Sequence, residues 1–234
     1  MKKLLLFDID STLITMKRSA QRAIMRHAAL QAFGYEIPET AVPLLSGKTD
    51  RQIIAEIVAN LGLSTSALDS VTEKFLAGLR EITPVHSTTL TVSALSGARE
   101  LIEYCHDDDS LALALLTGNN RECAYFKLAP IGLGQYFPIG AFGCDHHDRR
   151  MLPPLAIERA HAAYANTEFT ARNTLVIGDA PGDVACAQAN GIPILAVATG
   201  RYSADELRAL GADAVVADFS DRAQTISMIN SLVQ

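Results

Sequence analysis

Residues 1–13 read MKKLLLFDIDSTL, an apolar run that leads directly into two aspartates, Asp8 and Asp10. A short uninterrupted apolar run is typical of a strand that is buried on both faces. Because side chains along a strand alternate between its faces, Asp8 and Asp10 share one face. The stretch therefore predicts a buried strand that ends in a pair of carboxylates.

Two carboxylates on one face are energetically costly. At a separation of about 4 Å and an effective dielectric constant of about 20, they repel each other by about 4 kcal/mol. A cation, a proton or a functional role would offset this cost. The alternative is an ordinary turn in which Asp, Ser and Thr side chains satisfy the backbone, and this stretch alone does not decide between the two.

Two later apolar runs also end in small polar or acidic residues. Residues 111–116 are followed by Thr117, Gly118 and Asn119, and residues 174–177 are followed by GDAPGD at 178–183. In open α/β sheets the carboxyl ends of the strands line the ligand crevice. The three strand ends together predict a polar site at one edge of a sheet.

The chain beyond residue 92 alternates between strand-like and helix-like patterns. Such alternation predicts an α/β fold with a parallel sheet and helices on both faces. Strands are predicted at 111–116, 139–142, 174–178, 193–197 and 214–217. Helices are predicted around Ala98–Cys105 and at 120–129, 152–165, 182–190, 204–210 and from about 221.

The region between the first two polar motifs has helical patterns only, at 16–33, 50–61 and 66–80, and Pro84 marks the return of the chain. We therefore predict an α/β core formed by residues 1–15 and 87–234, with an all-helical insert at 16–86. From here on, residues 16–86 are called the helical insert.

Composition excludes several functional classes. The 234 residues are 49% hydrophobic, which suffices for a sizeable core, and the net charge of −6 argues against a general nucleic-acid or anionic-membrane binder. No apolar run reaches transmembrane length, and Asp8 interrupts the N-terminal run too early for a signal peptide. The widely spaced cysteines favour reduced thiols and a cytoplasmic protein. The oligomeric state is not predicted.

Four motifs in order carry a family resemblance: DxDxT at 8–12, an apolar run with TGN at 117–119, a basic residue, and GDxxxD at 178–183. This order resembles the haloacid dehalogenase superfamily of aspartate-nucleophile phosphohydrolases, and within it the phosphoglycolate phosphatase-like branch. The match spans nearly the whole chain. It implies a Rossmann-like core and places a small helical cap at the insert.

The resemblance also implies roles for the first motif. Asp8 is the expected nucleophile, which forms an aspartyl-phosphate. Asp10 is expected to protonate the leaving alkoxide and then to activate water, and Thr12 to hold Asp10 in place within the turn. An acid at position 10 favours a phosphate ester over a carbon–halogen bond as the substrate.

The second and third motifs are expected to bind phosphate. The family binds the transferring phosphoryl oxygens at the positions of Thr117 and the Gly118 amide, and Asn119 helps to position the group. The third motif normally carries a lysine, whereas this chain offers Arg149 and Arg150, of which we favour Arg149. An arginine fork is not equivalent to a lysine point charge.

A metal site follows from the same motifs. Asp8, Asp10, Asp179 and Asp183 are expected to converge, and Mg²⁺ suits such hard oxygen ligands. No soft ligands accompany them, which disfavours zinc.

Selectivity is expected in the loop between the first two helices of the insert. Lys48 or Arg51 would pair with a second anionic group of the substrate, such as a carboxylate. The alternative is that Asp50 caps the next helix while both cations are solvated.

The sequence thus predicts a Mg²⁺-dependent phosphomonoester hydrolase that acts on a small phosphorylated metabolite. A sugar-phosphate mutase of the same fold is the alternative enzyme. A receiver-like regulatory module is a third possibility, but the helical insert and Asp10 argue against it. The motifs do not identify the natural substrate.

Overall fold

The computed structural model describes residues 2–233, apart from the side chain of residue 67. It has eight strands within this range: β1 (Lys3–Phe7), β2 (Ile14–Met16), β3 (Val92–Ala94), β4 (Leu111–Thr117), β5 (Ile139–Phe142), β6 (Thr174–Gly178), β7 (Ile194–Val197) and β8 (Ala214–Val216). Six of them form one parallel sheet in the order β5-β4-β1-β6-β7-β8. This confirms the predicted α/β class.

Of the α-helices described, the first three lie in the helical insert and the other six alternate with the strands of the sheet, as the sequence predicts. In chain order the described helices are α1 (Arg18–Phe33), α2 (Asp50–Asn60), α3 (Leu68–His86), α4 (Ala98–Asp107), α5 (Arg121–Leu128), α6 (Leu152–Ala163), α7 (Pro181–Ala189), α8 (Ala204–Ala209) and α9 (Arg222–Leu232). Among the helices described, none combines the length and the apolarity needed to cross a membrane.

Alternate residues of β1 supply two separate hydrophobic cores. Leu5 and Phe7 pack on the face that carries α4, α5 and α9. Leu4 and Leu6 pack on the opposite face with α6, α7 and α8. Residues 4–7 of the strand are therefore all apolar, because both faces of the strand are covered by helices.

The helical insert joins the core through a short antiparallel pair of strands, β2 and β3. Helix α1 begins at Arg18 instead of at residue 16 as predicted, because Met16 pairs with Val92 in this ribbon. Helix α3 continues to His86, six residues beyond the predicted end. Pro84 lies in its last turn, where a missing amide donor removes only one hydrogen bond.

The residue before α2 and the first residue of that helix both hydrogen-bond to backbone carbonyls of the core. The Asp50 amide donates to the Gly118 carbonyl at 2.8 Å, and the Thr49 hydroxyl donates to the His147 carbonyl at 2.7 Å. A Cβ atom on Gly118 would lie 1.9 Å from the Lys48 carbonyl oxygen. Only glycine fits at 118, because any side chain there would separate the insert from the core.

Candidate active site

The predicted polar strand ends meet at the carboxyl edge of the sheet, beneath the helical insert. A cavity of about 260 Å³ lies between the two. Its core side includes Asp8, Asp10, Thr117 and Arg149. Its insert side combines apolar residues (Met16, Ile24, Met25, Ile53 and Leu79) with polar ones (Gln21, Ser46, Lys48, Asp50 and Thr83).

The turn after β1 presents the two aspartates of the first motif. The Asp8 amide continues the sheet by donating to the Ile177 carbonyl at 2.9 Å. Ser11 has a φ of 63°, and its amide donates to the Ile14 carbonyl at 2.8 Å. A left-handed conformation is uncommon for serine, and such strained residues cluster at functional sites.

Three carboxylates converge at this edge. Oxygen atoms of Asp8, Asp179 and Asp183 lie within 4.8 Å of one another, and all three residues are buried. The Asp183 carboxylate also accepts a hydrogen bond from the Ala180 amide at 3.0 Å. Thr12 donates to Asp179 at 3.2 Å. Its side chain therefore supports the fourth motif, and the prediction that it holds Asp10 is wrong.

Arg149 is the buried cation of this group. One of its terminal nitrogens donates to Asp8 at 3.0 Å and to the Leu116 carbonyl at 3.2 Å, and it also pairs with Asp183. Arg149 is 5% exposed. Arg150 instead lies at the surface and pairs with Asp148 at 2.6 Å. Of the two candidate arginines, the structure places Arg149 in the site.

Burial perturbs the acidity of these carboxyl groups. Desolvation raises the pKa of Asp179 to about 9, and the charges of Asp183 and Asp8 add to the effect. Desolvation also raises the pKa of Asp8 to about 7, against the opposing charge of Arg149. Desolvation also raises the pKa of Asp183, although the charge of Arg149 opposes it.

When ionised, three carboxylates outnumber the single positive charge of Arg149. A buried excess of negative charge is unstable without a further cation. The donors are hard carboxylate oxygens without a thiolate or imidazole among them, which suits Mg²⁺ or a similar divalent ion. The residues therefore fit a divalent metal site.

The Asp10 carboxylate does not join the group formed by Asp8, Asp179 and Asp183. The same oxygen of Asp10, Oδ2, accepts two hydrogen bonds: one from Lys127 at 2.6 Å and one from Asn119 at 2.8 Å. Burial opposes ionisation of Asp10, but the positive charge and hydrogen bond of Lys127 outweigh it and hold the pKa below its usual value. Asp8 and Asp10 thus occupy electrostatically different surroundings.

The second motif connects these parts. The Asn119 amide group donates to Thr117 Oγ1 at 2.8 Å, and its oxygen accepts from Lys127 at 2.6 Å. Lys127 was not among the residues predicted for the site. The spacing along α5 could have indicated this lysine. It follows Cys123 by four residues and Ala124 by three, so it shares a helix face with them, and both of these residues are buried.

The loop of the insert is only partly directed at the cavity. Lys48 lines the cavity and pairs with Glu56. Arg51 pairs with Glu73 at 3.0 Å and donates to the Cys144 carbonyl at 3.2 Å. It is not among the described residues that line the cavity. The structure thus brings Lys48 to the site but not Arg51.

Asp50 does not cap α2, so that alternative is wrong. Thr49 is the cap, and its side chain accepts from the Gln52 amide at 3.0 Å. Asp50 is buried and accepts from the Asn120 amide at 2.7 Å. Burial raises the pKa of Asp50 to about 6.

Comparison with known proteins assigns the family. Residues 5–197 match the family model described as haloacid dehalogenase-like hydrolase. A phosphoglycolate phosphatase from Rhodospirillum rubrum is 28% identical over 224 residues, which cover 94% of this chain and 89% of that protein.

Solved structures share the fold over nearly the whole chain. A predicted phosphatase from Clostridium acetobutylicum superimposes with a TM-score of 0.70 at 17% identity and covers 97% of this chain and 99% of its own. A putative β-phosphoglucomutase from Thermotoga maritima gives 0.61 at 20% identity, with coverage of 97% and 99%. These likenesses concern the fold. Since the family model spans most of the chain, including all the polar strand ends, the chain belongs to the haloacid dehalogenase-like hydrolase family and is a phosphatase of that family.

Proposed function

We propose that this phosphatase hydrolyses a small phosphate monoester in a Mg²⁺-dependent reaction through an aspartyl-phosphate on Asp8. The observation that carries the proposal is the buried carboxylate Asp8, which Arg149 contacts at 3.0 Å at the edge of the cavity. A carboxylate held in one orientation beside a cation is suited to attack an anionic phosphoryl group.

In the first step an Asp8 oxygen forms a bond to phosphorus, and the bond from phosphorus to the alkoxide breaks. Asp10 gives the leaving alkoxide a proton. In the second step Asp10 takes a proton from water, whose oxygen bonds to phosphorus while the bond to Asp8 breaks, and inorganic phosphate is released. Lys127 favours the ionised form of Asp10 at rest. The negative charge of an incoming substrate raises the proton affinity of nearby carboxylates, which favours the acid form for the first step.

Asp8, Asp179 and Asp183 would hold the metal ion. When bound, Mg²⁺ supplies positive charge that stabilises the transferring phosphoryl group. Arg149 orients the Asp8 oxygen and balances part of the carboxylate charge. Arg149 lines the cavity beside Asp8, where its positive charge would also attract phosphoryl oxygens. Thr117 and Gly118 would bind the remaining oxygens, as the family resemblance implies.

The size and walls of the cavity support a small leaving group. A volume of about 260 Å³ is below the usual range for drug-sized ligands. We propose a short monoester that carries a carboxylate, as the phosphoglycolate phosphatase relative suggests. Among the described residues of the insert, Lys48 is the cation that lines the cavity. It would pair with that carboxylate, and the helical insert would act as a cap of residues 16–86.

The mutase remains the alternative. Release of inorganic phosphate without a bisphosphate activator distinguishes the two activities. Each of the four cysteines is an unpaired thiol, and we propose a cytoplasmic location on that basis.

Replacing the nucleophile tests the proposal. We expect Asp8→Asn to retain less than about a hundredth of wild-type turnover, because phosphate-ester hydrolysis without the covalent route is extremely slow. The measurement is phosphate release from a panel of small monoesters with Mg²⁺ present. Asp107→Asn, remote from the cavity, is the matched control. A wild-type protein that hydrolyses none of these esters, or an active Asp8→Asn variant, would refute the function.

The carboxylate group predicts an unusual pH dependence of the metal-free protein. The pKa of Asp179 rises from 3.8 to about 9 on folding. The stability that this group contributes is therefore present at low pH and is lost as pH rises toward about 9. We expect the melting temperature in EDTA to fall between about pH 6 and pH 9, and Mg²⁺ to reduce the slope.

Two variants separate this effect from other titrations. Asp179→Asn should make the decline in EDTA less steep, because it removes one of the buried carboxyl groups with a raised pKa and relieves its repulsion on Asp8. Asp148→Asn should leave it unchanged, since the pKa of Asp148 is about 2 and it titrates below this range. A decline that is equally steep in all three proteins would contradict the assignment.

The two arginines provide a second matched pair. Arg149→Met leaves Asp8 and Asp183 buried without their partner, so we expect it to lower the free energy of unfolding by about 3–5 kcal/mol and to abolish activity. Arg150→Met removes only a surface pair and should change neither. Urea unfolding and phosphate release measure the two effects. Similar losses of stability and activity in both variants would contradict the assignment of Arg149 as the cation of the site.

The loop residues test the substrate proposal. Lys48→Ala should raise KM for a carboxylate-bearing monoester such as phosphoglycolate and change KM for p-nitrophenyl phosphate much less. Arg51→Ala should have the smaller effect, because the Arg51 side chain is held by Glu73 outside the cavity. Equal changes with both substrates would remove Lys48 from substrate recognition.

A further inference from the structure

We propose that Lys127 is a positioning residue for the reaction: together with Asn119 it holds one oxygen of Asp10 so that the other oxygen faces the leaving group. This inference rests on the proposed function, in which Asp10 exchanges protons with the leaving group and water. Neither the motif order nor the family match assigns a role to Lys127.

The geometry is a closed triangle of three side chains. Lys127 Nζ lies 2.6 Å from Asp10 Oδ2 and 2.6 Å from Asn119 Oδ1. The amide nitrogen of Asn119 lies 2.8 Å from the same Asp10 oxygen and 2.8 Å from Thr117 Oγ1. Two donors on one oxygen fix the plane of the carboxylate as well as its distance.

The other oxygen of Asp10 remains available. It accepts no hydrogen bond from the part of the chain that the structure describes, and Asp10 lines the cavity. The Asp10 side chain is 32% exposed, whereas that of Lys127 is 13% exposed. Asn119 and Lys127 line the same cavity as Asp10, so the restrained oxygen is held by two neighbours at the cavity wall while the second oxygen is left without a partner among the described residues.

Lys127 is carried by a well-anchored helix. The Asn120 side chain caps α5 by accepting from the Cys123 backbone amide at 3.0 Å, and the Asn120 backbone amide donates to Asp50 of the insert at 2.7 Å. Cys123, Ala124 and Leu128 are buried. A donor on such a support loses little additional freedom when it binds Asp10, and rigid supports are what position catalytic groups accurately.

Stability alone is a poor explanation for this pair. Desolvating a lysine and an aspartate often costs as much free energy as their attraction returns, and apolar residues can replace such pairs without loss. If the pair orients Asp10, its loss should slow mainly those reactions in which the leaving group needs a proton. A purely structural role predicts no such selectivity.

The test compares two esters of similar size with different leaving groups. Benzyl phosphate releases an alkoxide that requires a proton, whereas p-nitrophenyl phosphate releases a stable phenolate. We expect Lys127→Met to lower kcat/KM for benzyl phosphate at least about tenfold more than for p-nitrophenyl phosphate. This is part of the about 100- to 10,000-fold that general acid catalysis contributes. Lys127→Arg should recover part of the difference, because it retains a donor.

Two further variants complete the experiment. Asn119→Ala removes the second donor to the same oxygen and should give the same leaving-group dependence, which keeps the test valid if Lys127→Met does not fold. Arg99→Met is the matched control, since Arg99 is a half-buried cation that pairs with Glu103 outside the cavity; it should show no such dependence.

The outcomes separate this inference from the proposed function. Equal losses with both esters, or no loss, in the Lys127 and Asn119 variants would overturn the positioning role while wild-type hydrolysis upholds the function. A wild-type protein that releases phosphate from no monoester would remove the function and this inference with it.

Discussion

The contact between Arg149 and the buried carboxylates of Asp8 and Asp183 constrains the rest of the structure. These three residues come from distant parts of the chain, and each is costly to bury alone. They can be brought together only where the end of β1, the first turn of α7 and the segment before α6 meet. The parallel sheet supplies that meeting point, and its two apolar cores provide the stability that keeps the charges buried.

The two aspartates of the first motif are only two residues apart, yet their surroundings move their proton affinities in opposite directions. Burial with neighbouring acids raises the pKa of Asp8, whereas Lys127 lowers that of Asp10. Such a separation is how one site assigns different tasks to similar groups. It also explains why the repulsion expected between adjacent carboxylates is tolerated: each has its own cation, Arg149 for Asp8 and Lys127 for Asp10.

The sequence predicts what depends on local pattern. The apolar runs and the polar residues that follow them locate the sheet, its carboxyl edge and the places of Asp8, Thr117 and Asp179. It does not predict contacts between side chains that are distant in sequence. Lys127 and Asp10 are 117 positions apart, and Thr12 reaches Asp179 across 167. The insert was predicted as helical, but the ion pair of Arg51 with Glu73 depends on how α2 and α3 pack, which no motif encodes.

The tripeptide Thr117-Gly118-Asn119 links the insert to the acid–base group. The Gly118 carbonyl accepts from the first residue of α2, Asp50, while the next side chain, Asn119, holds Asp10. The following amide, of Asn120, binds the Asp50 carboxylate and begins the helix that carries Lys127. Separating the insert from the core would break both hydrogen bonds of Asp50, on either side of Asn119. The position of the insert and the orientation of Asp10 therefore depend on the same four consecutive residues, 117–120.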